Sequence, residues 1–257
     1  MRNESTEEKI ARVTEVTAKT NERIDDLGRK GYRLIQDTKA FCFGMDAVLL
    51  AEFTAASEKD RVLDLCTGNG VIPILMAARD KGGFFTGIEI QEGSARLAKR
   101  NAGLNGLEDR IDIIQGDIKD AGTFTEKESY DVVTCNPPYM INGGGLVNPG
   151  DVKAIARHEI LMSFEDVAAA SVMALKSKGS LFIVHRPRRM TEIFESLRRY
   201  RLEPKRMRTV HSFAGKEANM ILIEAVKDGG CQMIIDPPLI IYKEDGTYTQ
   251  EVKSYYG

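Results

Sequence analysis

From Arg61 onward, short and nearly continuous apolar runs alternate with longer stretches whose apolar positions recur near the helical period. The runs Arg61–Cys66, Phe84–Ile90, Ile111–Gln115, Tyr130–Cys135 and Ser180–His185 read as strands, and their unbroken hydrophobicity is that of strands covered on both faces. Between them, Val71–Asp80, Ser94–Asn105 and Phe164–Lys176 read as helices. Parallel strands need crossover connections, so the alternation predicts an α/β fold with a mostly parallel sheet and helices on both faces. A further helix, Arg189–Tyr200, precedes two more strand candidates, Lys205–Val210 and Ala218–Val226. The loop joining those two is too short for a crossover helix, so they are expected to pair antiparallel.

The first part of the chain reads differently. Residues 1–25 are rich in Glu, Lys, Arg and Thr with few apolar positions, the composition of a flexible, solvated arm. Residues 26–257 are then a single domain, in which Leu34 to Phe53 supply an apolar cover for the sheet that follows. The length suits one α/β domain with a sizeable core.

Composition narrows the class. Hydrophobic residues are 42% and charged residues 29% of the chain, ordinary values for a globular protein. No apolar run is long enough to span a bilayer and the start has no apolar signal core, so a cytoplasmic protein without a membrane partner is expected. Cys42, Cys66, Cys135 and Cys231 are far apart, and His158, His185 and His211 lack ligand spacing, so no disulfide or metal is expected. The net charge of -2 argues against a protein that coats nucleic acid. One local cluster, Arg186 to Arg208, has the composition either of a phosphate-binding surface or of a solvated helix face.

Two motifs carry chemistry. In Val62-Leu63-Asp64-Leu65-Cys66-Thr67-Gly68-Asn69-Gly70, a buried strand runs into glycines and then a helix. Gly68 and Gly70 permit positive φ and let a ligand lie against bare backbone. Glu89, nineteen positions past Gly70 and at the end of the next strand, is placed to accept from both hydroxyls of a ribose, with Ile90 beside it. Asp117 and Ile118, after the third strand, suit an adenine amino group and ring. With Asp64 these residues describe a nucleoside pocket. A dinucleotide turn would need glycine where this chain has Pro73, so NAD is not expected.

The second motif, Asn136-Pro137-Pro138-Tyr139, follows the strand Tyr130–Cys135 at the carboxyl edge where open α/β sheets bind ligands. Successive prolines hold the backbone so that the Asn136 side-chain oxygen and the Pro137 carbonyl converge on one point. Two acceptors there can take both N–H bonds of an exocyclic amine and stabilise the charge that develops as a methyl group arrives. A sulfonium methyl donor, also approached by Asn136, needs no strong base, and Tyr139 is positioned to stack on a base that has left its own stack. The following stretch, Met140 to Gly150, has the composition of a mobile loop and reads as a lid or as a plain flexible connection.

These motifs resemble those of the bacterial tRNA(Val) adenine-N6 methyltransferases, class I S-adenosylmethionine-dependent enzymes with an N-P-P-Y signature. The resemblance extends to Asp25-Asp26-Leu27, Gln36, the run Phe41 to Leu50, Arg157-His158-Glu159 and the ending Pro238 to Tyr242. It implies a Rossmann-like, seven-stranded sheet with one antiparallel strand. It also implies S-adenosyl-L-methionine as methyl donor and a tRNA substrate methylated at the adenine beside the anticodon; a monomer is the default expectation. One departure is Cys66, where such enzymes more often carry glycine. Protein-glutamine N5-methyltransferases acting on release factors share N-P-P-Y, but usually carry a helical domain before the glycine motif. Here only about sixty residues precede it. Ribosomal RNA adenine-N6 methylation is the other alternative, and a module that binds S-adenosylmethionine without chemistry has no need of paired acceptors.

Overall fold

The computed structural model describes residues 21–39, 42–137 and 162–256. Eleven strands and seven α-helices lie among them: β1 (Glu22–Asp26), β2 (Arg33–Asp37), α1 (Met45–Phe53), β3 (Arg61–Leu65), α2 (Val71–Ala77), β4 (Phe84–Glu89), α3 (Glu92–Leu104), β5 (Ile111–Gln115), α4 (Ala121–Phe124), β6 (Tyr130–Cys135), α5 (Phe164–Ala174), β7 (Leu175–His185), α6 (Met190–Arg199), β8 (Leu202–His211), β9 (Ala218–Lys227), β10 (Ile234–Ile235), β11 (Leu239–Ile240) and α7 (Gln250–Ser254).

Seven long strands form the main sheet in the order β5-β4-β3-β6-β7-β9-β8. All run parallel except β9, which is antiparallel to both neighbours. This is the Rossmann-like, seven-stranded arrangement with one reversed strand that the sequence led us to expect. Two-residue strands β10 and β11 extend it along β8. Strand order reverses at β3, whose successor β4 lies on one side and β6 on the other, making its carboxyl end the switch point of the sheet.

The central strands β3, β6, β7 and β9 bury both faces, as their apolar runs demanded. Val62, Phe85, Val132, Phe182 and Leu222 point into one cluster with α1, α2 and α3; their neighbours Leu63, Val133, Leu181 and Ile223 point into the other, beneath α5 and α6. The period of two puts alternate residues on opposite faces.

Several boundaries differ from expectation. The helix starting at Phe164 ends at Ala174, because Leu175 turns extended and pairs with Tyr130. The helix starting at Val71 ends at Ala77, ahead of a left-handed Asp80. The expected boundary at residue 25 falls inside β1. Glu22 pairs with Asp37 across the hairpin, and its carboxylate takes two bonds from Arg100 at 2.6 and 2.9 Å. Residues 1–20 lie outside the described residues. Among the described residues no helix is long and apolar enough to cross a membrane.

Candidate functional site

At the carboxyl end of β3 the backbone turns sharply through three left-handed residues, Cys66 (φ 59°), Gly68 (φ 58°) and Gly70 (φ 80°). The turn is tied down by Thr67 N–H donating to the Ile88 carbonyl at 3.0 Å and Gly70 N–H to the Thr67 carbonyl at 2.9 Å. A left-handed cysteine costs of order 1–2 kcal/mol, so the surrounding structure must impose it. A Cβ added at Gly68 would meet nothing within 4 Å, so the loop faces open space there.

Glu89, at the end of β4 and 5% exposed, accepts from Gly68 N–H at 2.9 Å and from Gln91 N–H at 2.8 Å. Its carboxylate thus ties together the loops that follow β3 and β4. Ile90 is 40% exposed beside it. Asp64 lies wholly beneath the turn. One of its oxygens accepts from the Thr134 hydroxyl at 2.6 Å. Its other oxygen and the Thr67 hydroxyl oxygen are buried without a hydrogen-bond partner. Burial pushes the Asp64 carboxyl up to about 7, against the Thr134 bond and the nearby Thr67 hydroxyl, which both favour the charged form.

Cys135, the last residue of β6, pairs in register with Leu65, so Asn136 follows directly beside the left-handed turn. Asn136 is half-buried and Pro137 buried. The hydrogen bond to the Cys66 thiol, with burial, holds the Cys135 thiol well above its ordinary range and so un-ionised. Cys66 Sγ also lies 3.4 Å from Met162 Sδ. On β5's side, Asp117 caps the turn Ile118–Asp120, accepting from Lys119 N–H at 3.0 Å, and Ile118 is 5% exposed within the core. Asn136, Gly68, Glu89 and Asp117 thus lie at the carboxyl ends of four consecutive strands of the sheet, β6, β3, β4 and β5. Pro138, Tyr139, the loop from Met140 to Gly150, Phe41 and Arg157-His158-Glu159 lie outside the described residues. Among the described residues no group of three or more His, Cys, Asp and Glu is placed to hold a metal.

Two further residues brace this edge. Asn101 of α3, fully buried, accepts from Ile35 N–H at 2.7 Å and donates to the Ile35 carbonyl at 3.1 Å and to the Asn69 carbonyl at 2.9 Å. One turn later Asn105 makes the same pair of bonds to Arg33, at 2.8 Å each. The two amides act as a surrogate strand along the free edge of β2, and Asn101 joins that hairpin to the glycine turn. Two asparagines four apart on the packed face of a helix were the available signal in the sequence. Gln36, 1% exposed, similarly accepts from Phe43 N–H at 2.9 Å and fixes the entry to α1.

The arginine cluster is organised differently. Arg189 pairs with Glu192, Arg198 with Glu203, Arg199 with Glu165 and Glu195, Arg201 with Asp228, Arg206 with Glu224, and Arg208 with Glu251. His185, beneath this end of the sheet, is lowered to about 4 by burial and by Arg189, so it is neutral at physiological pH. A depression lined by Arg61, Phe84, Asp109 and Arg110 lies at the amino ends of the strands, away from every residue of the proposed site.

Residues 56–227 match the family model of a methyltransferase domain. The tRNA1(Val) (adenine(37)-N6)-methyltransferase of Porphyromonas gingivalis is 30% identical over 201 residues, covering 76% of this chain and 78% of that protein. The enzyme of the same name from Aeromonas hydrophila is 28% identical over 221 residues, covering 86% of this chain and 90% of its own length. Among solved structures, a predicted O-methyltransferase from Agrobacterium tumefaciens superposes with a TM-score of 0.68 at 25% identity, covering 82% of this chain and 95% of that one.

Proposed function

Since this chain belongs to the methyltransferase-domain family and, within it, to the tRNA1(Val) (adenine(37)-N6)-methyltransferases, we propose that it methylates N6 of the adenine beside the anticodon of a valine tRNA. We read it as a cytoplasmic monomer that needs no metal. The observation that carries the chemistry is the position of Asn136, one strand from a left-handed turn with two buried, unpartnered oxygens beneath it.

S-adenosyl-L-methionine supplies an activated methyl group and so the intrinsic reactivity. Gly68 offers bare backbone to it, while Gly70 lets the turn pack closely on Ala98 of α3. Glu89 offers carboxylate oxygens and Asp117 a further acceptor, Ile90 and Ile118 provide apolar contact, and Asp64 braces the turn from beneath. The residues at the end of β6 act on the substrate. The Asn136 side-chain oxygen and the Pro137 carbonyl accept the two N–H bonds of the adenine amine, which favours its pyramidal form and stabilises the positive charge that develops on nitrogen. Tyr139 stacks on the adenine, which has left its own stack to reach the pocket. No general base is required, in keeping with the neutral, buried state of Cys135. Holding amine and methyl in line supplies the larger part of the acceleration.

The test is transfer of labelled methyl groups to unmodified bulk tRNA, with products mapped by nucleoside mass spectrometry. N6-methyladenosine in the anticodon loop of valine tRNA is the expected product. Label on a release-factor glutamine or on ribosomal RNA, with none on tRNA, would overturn the substrate.

A further inference from the structure

The left-handed cysteine at the end of β3 brings two thiols together. Leu65 and Cys135 are partners in the parallel ladder of β3 and β6. Side chains alternate between faces along a strand, so an extended residue after Leu65 would point away from Cys135. Cys66 does not continue the strand. Its φ of 59° lies about half a turn from the value of about −120° in a parallel strand, which swings its Cβ back to the face that Leu65 and Cys135 share. Cys66 accordingly packs against the same cluster as those two residues, and its thiol meets that of Cys135 in a hydrogen bond. The usual strand spacing and rise place the two Cα atoms about 6 Å apart, within the range that a disulfide spans.

The four cysteines are free thiols, and they differ in surroundings. Cys135 is buried and Cys66 half-buried, so an oxidant from solvent meets Cys66 first. Cys42 is turned to its own loop, its thiol 3.8 Å from the Asp37 carbonyl, and Cys231 is exposed. Glycine would hold the left-handed conformation at position 66 without the steric cost that a Cβ brings, so what the side chain adds there is its thiol.

We propose that Cys66 and Cys135 form a reversible modification site, closed to a disulfide by a peroxide and reopened by a dithiol. The Cys66 sulfur attacks the peroxide and breaks its O–O bond, giving a sulfenic acid and one water. The Cys135 sulfur then attacks the Cys66 sulfur. The S–S bond forms as the S–O bond breaks, and the departing hydroxide takes the Cys135 proton to leave as a second water. The thiols lose two electrons, which the peroxide gains. A dithiol reverses the change by exchange and leaves as its own disulfide. The bond joins the glycine turn to the residue before Asn136. Closing the sulfurs from non-bonded contact draws Cys66, and the Thr67-Gly68 that follows it, toward β6 by on the order of 1 Å, and a misplacement of that size costs about a hundredfold in rate. The effect on activity rests on the reading of this edge as the methyl-transfer site; the bond itself does not.

The experiment uses the full chain, wild type beside Cys66→Gly and Cys135→Ala, before and after hydrogen peroxide and again after dithiothreitol. Unreduced peptide mapping by mass spectrometry reads the bond. S-adenosylmethionine affinity and methyl transfer to tRNA read its effect, each relative to the same chain before treatment, and thermal midpoints check folding. The wild-type chain is expected to yield a joined Cys66–Cys135 peptide pair, to bind S-adenosylmethionine more weakly, and to lose about a hundredfold in methyl transfer, all restored by dithiothreitol. Cys66→Gly should keep its own rate through peroxide. Cys135→Ala, with no partner to trap the sulfenic acid, should gain oxygen at Cys66 in place of a crosslink. Absence of the crosslink from the wild-type chain would overturn the proposal. So would a crosslink that leaves cofactor affinity and rate unchanged, or equal inactivation of wild type and Cys66→Gly. A reversible crosslink that weakens cofactor binding in a chain with no activity on tRNA would leave the site standing while the proposed reaction fell.

Discussion

The edge formed by β3 and β6 and the arginine-rich stretch from Arg186 to Arg208 hold comparable promise as sequence, and the fold treats them in opposite ways. At the first, a cysteine is held left-handed, Asp64 is buried and pushed up to about 7, and two buried oxygens have no partner. At the second, six arginines are matched by glutamates and aspartates from α5, α6, β8, β9 and the segments that follow them. The first arrangement costs stability and makes sense as a place kept for a ligand. The second satisfies itself. A cluster of charge is evidence of an interface only after its own chain has been given the chance to neutralise it.

The comparison breaks or sharpens at four points. The largest effect is expected at Asn136: the Asn136→Ala variant should lose about a hundred- to a thousandfold in kcat, the usual cost of one preorganised polar contact to developing charge, with its thermal midpoint retained. An unchanged kcat would remove the chemistry from this edge.

Next is Asp64. A carboxyl raised in the folded state contributes stability that is fully present below the unfolded value near 4 and lost as pH rises to about 7. Urea unfolding across that window should show wild-type stability falling relative to Asp64→Asn, by about 1.4 kcal/mol for each unit of the shift. Parallel curves would show that Asp64 is charged and satisfied.

Asn101→Ala should cost about 1–3 kcal/mol through buried groups left unpaired on Ile35 and Asn69, and should raise KM for S-adenosylmethionine more than it lowers kcat. Denaturant titration and steady-state kinetics check both parts. Smallest of all, reversing charge at Arg198 and Arg199 together should change stability by about 1 kcal/mol or less and leave tRNA affinity and its salt dependence unaltered.

Much of this contrast was legible beforehand on one side only. Near-continuous apolar runs located the parallel strands, because burial on both faces leaves polar residues nowhere to go. Glycines after Leu65 and Asn-Pro-Pro after Cys135 are local signals of local geometry, so the glycine turn and Asn136 could be placed from the sequence. The hairpin β1–β2 could not. Its first strand, Glu-Arg-Ile-Asp-Asp, has little apolar content, and the free edge of its second is satisfied by Asn101 and Asn105, more than sixty residues away. The arginine pairs with Glu165, Glu224 and Glu251 were hidden for the same reason, since those acids approach through the tertiary fold, whereas Arg189–Glu192 and Arg199–Glu195 are local. Asp64 was legible as a residue and not as a state, since its pKa depends on burial that only the packed sheet provides.

The most direct measurement sets the two regions against each other in a single assay. Single-turnover methyl transfer to unmodified valine tRNA is followed for the wild-type chain, for Asn136→Ala, and for Arg198→Glu combined with Arg199→Glu. The account predicts that N6-methyladenosine disappears with Asn136 and persists at the wild-type rate in the charge-reversed protein. Methylation that survives Asn136→Ala and is abolished by the charge reversal would contradict it.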